Sequence, residues 1–126
     1  MKRSTFLVIT AVLAMLVGIS MLLSPDKMFT MMAMTADAST VLAGRMLGAF
    51  LFSLGLINWT ARNVEDSLAL RAILYGNLSV HLLGLVLDVI GITSGVTNSQ
   101  AWGSVAVHLI LGAGFAYYAF AKPQQA

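Results

Sequence analysis

Five side chains in this sequence can do chemistry where almost every neighbour is apolar: Arg45, Asn77, His81, Asp88 and His108. Imidazole, carboxylate and guanidinium groups are the materials of proton relays, metal–imidazole bonds and buried ion pairs. Asn77, His81 and Asp88 stand at i, i+4 and i+11, and with Gly84 and Gly91 they fall on one helical stripe. A charge at mid-bilayer costs at least about 2.5–3.5 kcal/mol on insertion scales, so such residues face the protein interior and pair.

Counting residues outward from the hairpins places these groups in depth. About a turn centred near Asp66, Arg45 lies 21 residues before and Asp88 22 after. At about 1.5 Å rise per residue both reach one depth, and an Arg45–Asp88 ion pair is expected. Otherwise Arg45 snorkels to the headgroups. About a second turn near Val96, Asp88 is 8 residues away, His108 is 12 and His81 is 15. The two histidines therefore lie within about one helical turn of each other in depth.

Four chemistries fit that pair. Both rings can be neutral and hydrogen-bonded to Asn77, Ser104, Asp88 or backbone. They can be axial ligands of a b-type haem, with Gly84 and Gly112 leaving room for a flat ring. They can serve a quinone or lipid-headgroup pocket, or a proton relay through Asp88, His108 and His81. The soft thioethers Met28, Met31, Met32 and Met34 raise a Cu(I) site, or a flexible apolar filler. There is no nucleophile–base–orienter set and no Gly-rich phosphate loop, so no catalytic residue is assigned. Glu65 and Asp66 read as a solvated helix start.

The elements that must hold these groups follow from composition. Hydrophobic residues make up 59% of the 126 and charged ones 10%, with a mean hydropathy of +0.88. Soluble domains carry about 25% charge, so this is an all-α integral membrane protein of one domain. Four transmembrane helices over about 5–23, 41–61, 72–92 and 101–121 form an antiparallel bundle. A short outer interfacial helix follows Ser24-Pro25-Asp26, at about 25–34. The first run is longer than a signal-peptide core of about 7–15 residues and reads as an uncleaved span. Gly44-x-x-x-Gly48 and Gly55 make a flat face for close helix approach. Asn98 or Ser99 caps the fourth span.

Charge sets the orientation. Lys2, Arg3, Arg62, Arg71 and Lys122 fall on one side and only Lys27 on the other, which places both termini in the cytoplasm. Trp59, Tyr75, Tyr117 and Tyr118 form an inner aromatic belt, Phe29 and Trp102 an outer one. A net charge of +2 gives no reason to expect nucleic acid. The absence of cysteine removes disulfide exchange and thiolate metal sites.

The motifs Leu22-Leu23-Ser24-Pro25, Arg45-Met46-Leu47-Gly48 and Trp59-Thr60-Ala61-Arg62, with an arginine opening the third helix, carry a resemblance. The chain resembles the small four-helix bacterial membrane proteins of the DoxX-like type and their sister families. The resemblance implies a four-helix bundle in the bacterial inner membrane, in some relatives an accessory subunit of a quinone-linked oxidoreductase. His81 and His108 match no motif of that family, and its disulfide-handling branch needs cysteines that this chain lacks. Two functions are expected. One is a non-enzymatic accessory or assembly subunit, bound to other membrane subunits or to itself through glycine faces. The other is a redox or transport component built on the histidines.

Overall fold

The structure is a computed structural model and describes residues 1–120; Lys122 and the rest of residues 121–126 lie outside the described residues. Its elements are α1 (Arg3–Leu23), α2 (Pro25–Met31), α3 (Ala38–Ala61), α4 (Leu68–Thr93) and α5 (Ala101–Phe120). Helices α1, α3, α4 and α5 are each long and apolar enough to cross a membrane. Even α5, with 20 residues, reaches about 30 Å, the thickness of a bilayer's hydrocarbon core.

Local chemistry sets the breaks between helices. Pro25 opens α2, with Asp26 in its first turn. The helix stops at Met31, three residues before the expected end. Ala33 takes a left-handed backbone (φ 60°) and donates to Thr30 O, while Met34 N–H donates to Phe29 O, both at 3.0 Å. This is a Schellman stop. Met34 is thereby carried off the short helix, while Met28, Met31 and Met32 keep their i, i+3, i+4 spacing at its end. Asp37 caps α3, accepting from Thr40 N–H at 2.7 Å and from the Ser39 hydroxyl at 2.8 Å. Those donors hold its carboxyl down at about 2, the Thr40 backbone N–H contributing most. Ser67 caps α4, its hydroxyl accepting from Leu70 N–H at 3.2 Å. The helix therefore begins four residues earlier than the hydropathy suggests and takes Arg71 inside it. A second Schellman stop ends α4, with Gly95 at φ 74° in the left-handed position.

The helices pack as two pairs. Helix α1 runs against α3 and α4 against α5, whereas α3 and α4, neighbours in the chain, touch at few points. Glycines explain the first pair. A Cβ on Gly48 would lie 2.7 Å from Gly18 O, and one on Gly55 would lie 2.8 Å from Ala11 O. Backbone meets backbone there, and any side chain would push the helices apart.

The pairs join at one end through Phe6, Leu7, Ala61, Leu70, Leu74, Phe115 and Ala119. At that end Arg3 donates to Val64 O at 2.7 Å, and the Tyr118 hydroxyl donates to Met1 O at 2.6 Å. Arg71 pairs with Asp66 at 2.9 Å and reaches Ala119 O at 3.3 Å. At the opposite end Asn98 ties the loop after α4 to α2, through its N–H to Met32 O and its side chain to Met31 O. Its amide thus anchors two segments as well as preceding α5.

Candidate functional site

Helices α4 and α5 carry the histidines and bring them into contact. A Cβ on Gly84 would lie 2.5 Å from His108 Cε1, so the His108 ring occupies the space that the glycine leaves. Gly112 lies opposite His81, whose Cβ would sit 3.4 Å from a Cβ there. The two Nδ1 atoms are 2.9 Å apart. One ring must donate and the other accept, so the two imidazoles hold opposite tautomers or share an added proton. The His81 ring also stacks on Phe115, with centroids 5.4 Å apart and planes at 21°.

On its other side His108 faces Asp88, with Nε2 and Oδ2 separated by 3.7 Å. That is ion-pair range but too long for a hydrogen bond. Asp88 Oδ2 is buried and accepts no hydrogen bond. One turn further along α4, Gly91 packs against Thr97, whose buried hydroxyl also lacks a partner.

Arg45 does not join this cluster. It is exposed on α3; among the described residues Arg71 pairs with Asp66, and the group that faces Asp88 is the His108 ring. The expected Arg45–Asp88 pair is therefore replaced by His108–Asp88. The reason is topological: α3 packs on α1 over most of its length and meets α4 only sparsely, so equal depth does not bring the two side chains together.

Asn77 takes part in a separate contact that sequence reasoning missed. Its amide and that of Asn58 on α3 exchange two hydrogen bonds, each 2.9 Å, and Asn77 Nδ2 also donates to Ile73 O. Asn58 is 1% exposed and Asn77 2%, so this amide pair is sealed. The depth count contained the signal, since Asn58 lies 8 residues before Asp66 and Asn77 lies 11 after.

This arrangement does not accommodate an axial haem. Iron between two imidazoles needs ring nitrogens about 4 Å apart, twice a metal–nitrogen bond of about 2 Å. Here Nδ1 touches Nδ1 at 2.9 Å, and the room beside Gly84 is filled by His108 itself. No group of three or more His, Asp or Glu among the described residues is placed to hold a metal ion. An open hollow of about 330 Å³ lies at the α1–α2 corner, lined by Ile19, Ser20, Leu23, Ser24, Lys27 and Met28, away from the histidines. In comparisons with family models, with curated proteins and with solved structures, no significant match to this chain was found.

Proposed function

We propose that this chain is a non-enzymatic accessory or assembly subunit of a bacterial inner-membrane complex. It crosses the membrane four times as an antiparallel bundle, with the 62–67 hairpin and both termini in the cytoplasm. The observation that carries this reading is that the interior asparagines and histidines close on one another in pairs. Asn58 closes on Asn77 and His81 on His108, which leaves the rings no ligand-sized gap. Arg45 meanwhile stands exposed eight residues into a span. A cation at that position calls for an anion outside this chain, and a carboxylate on a neighbouring subunit supplies one. The charge asymmetry supports the orientation, and the resemblance to DoxX-like proteins, carried by the sequence alone, is the ground for the accessory role. The haem reading has no geometric support.

Two measurements on the natively extracted protein test the proposal. The purified chain should show no Soret band. On native electrophoresis the wild type should migrate in an assembly larger than itself, and Arg45→Gln should reduce that assembly. A haem spectrum lost on His81→Ala or His108→Ala would overturn the reading. So would an Arg45→Gln variant that migrates like the wild type.

A further inference from the structure

Three buried polar atoms among the described residues lack a hydrogen-bond partner: Arg3 Nε, Asp88 Oδ2 and Thr97 Oγ1. Two of them mark the same end of the α4–α5 pair. Thr97 lies in the loop after α4 with its hydroxyl against Gly91, and Asp88 is one turn before Gly91. From Asp88 a line of titratable side chains continues inward. His108 Nε2 lies 3.7 Å from the carboxylate, and His108 Nδ1 lies 2.9 Å from His81 Nδ1. At about 1.5 Å per residue, the line runs from about 8 Å to about 18 Å inside the end of α4.

Beyond His81 the line stops. Phe115, fully buried, stacks on the His81 ring, and the buried Leu74 and Leu70 belong to the same apolar cluster. One turn further along α4, both ends of the Asn77 amide are already engaged. The site lies towards the loop end of the pair and is closed by apolar packing towards the hairpin.

The other charged and titratable side chains on the packed helices stand apart from it. Helix α1 offers only Arg3 and α4 adds Arg71 and Tyr75, while α5 adds Tyr117 and Tyr118. Arg3, Arg71 and Tyr118 make their contacts at the hairpin end, where Tyr75 and Tyr117 also lie. Helix α3 offers only Arg45, which is exposed, and residues 94–100 contain no titratable side chain.

Charge then fixes the occupancy. With Asp88 ionised and both rings neutral the unit is an anion. One added proton neutralises it, with His108 donating from Nδ1 to His81 and directing Nε2–H at Asp88. A second proton would set two imidazolium N–H groups against each other across the 2.9 Å contact.

We infer that Asp88, His108 and His81 form a proton-binding site, entered past Thr97 and closed at Phe115, that takes one proton from water on the loop side and conducts none across. This goes beyond the accessory role and does not require it. It gives the subunit a means of registering acidity on one face of the membrane.

The cysteine-free chain suits a single-cysteine test in liposomes. A charged thiol reagent should modify Thr97→Cys and Asp88→Cys at least about tenfold faster than Leu74→Cys or Asn77→Cys. Both fast positions should react from the same side, whichever side that proves to be, so a reversed topology does not count against the site. Labelling of position 88 no faster than 74, or from the side opposite to 97, overturns it. Two measurements on the protein without added cysteine remain decisive where a variant fails to fold. In ¹⁵N-histidine spectra both rings should respond together to one protonation step, and Asp88→Asn should move its midpoint. Independent titration of the two rings overturns the shared site. A pH-sensitive dye inside wild-type liposomes should report no proton flux above empty vesicles; flux above that level overturns the closed end.

Discussion

Replacing either asparagine of the Asn58–Asn77 pair by leucine, its near-isostere, should cost stability unequally. Asn77→Leu removes both reciprocal bonds and strands the Asn58 amide, which is 1% exposed. Interhelical hydrogen bonds in membranes are worth about 0.6 kcal/mol on average, so two contribute about 1.2 kcal/mol. A stranded buried amide adds about 1–3 kcal/mol, for a total of about 2–4 kcal/mol. Asn58→Leu loses the same two bonds, but Asn77 Nδ2 keeps its bond to Ile73 O, at 2.9 Å. The Asn77 carbonyl and one of its N–H groups lose their partners, but the amide keeps one bond that Asn77→Leu also removes, and the loss should be smaller by about 1 kcal/mol. The double variant leaves no polar group behind and should be milder than either single change. Equilibrium unfolding in mixed micelles, read as a double-mutant cycle, measures all three. Additive losses, or Asn58→Leu costing more than Asn77→Leu, would refute the reasoning.

Four further outcomes follow from the geometry. Gly48→Leu and Gly55→Leu should each cost about 1–3 kcal/mol or more by forcing backbones apart, whereas Gly76→Ala and Gly103→Ala, whose Cβ atoms would meet nothing within 4 Å, should be neutral or stabilising in detergent melts. Ala33→Gly should gain about 0.5–1 kcal/mol by relieving its left-handed backbone, and Gly95→Ala should lose a similar amount; melts in which the two changes have the same sign would contradict this. Asp37 is held at about 2 against an ordinary 3.8, so the stability its cap provides is present above 3.8 and lost as pH falls through about 2. Amide exchange at Thr40 should rise over that window, and Asp37→Asn should abolish the dependence. Thiol labelling from outside cells should reach a cysteine at position 97 and spare one at 66, and the reverse pattern would invert the proposed orientation.

The helices themselves were legible in the sequence because length and apolarity are one-dimensional signals. Ends were less so. Hydropathy starts α4 near residue 72, but Ser67 supplies a cap and Leu68-Ala69-Leu70 continue the helix from it. Ala33 hides the end of α2 because alanine rarely takes the left-handed conformation that glycine announces. Asn58 stands three residues before the end of α3, where the sequence alone reads a polar side chain as solvent-facing. Only its partner on another helix shows that it is sealed.

The site itself shows which coordinate a sequence carries. Counting from a hairpin gives depth, and depth alone was enough for His81 and His108, because α4 and α5 pack along their length. The same count failed for Arg45 and Asp88, which share a depth but sit on helices that barely touch. What it lacked was azimuth, and the glycines held that information. Gly44 packs against Pro25 and Phe29, while Gly48 and Gly55 face α1, so the close-packing face of α3 is committed away from α4. Arg45 is rotated about 100° from Gly44 on a helix of 3.6 residues per turn, off that face. Gly84 on α4, by contrast, lies under His108, and Gly112 on α5 lies opposite His81. Where a helix carries glycines at helical spacing, its close neighbour is on that side. A polar residue belongs to the interior only if it shares that stripe, as His81 and Asp88 do and Arg45 does not.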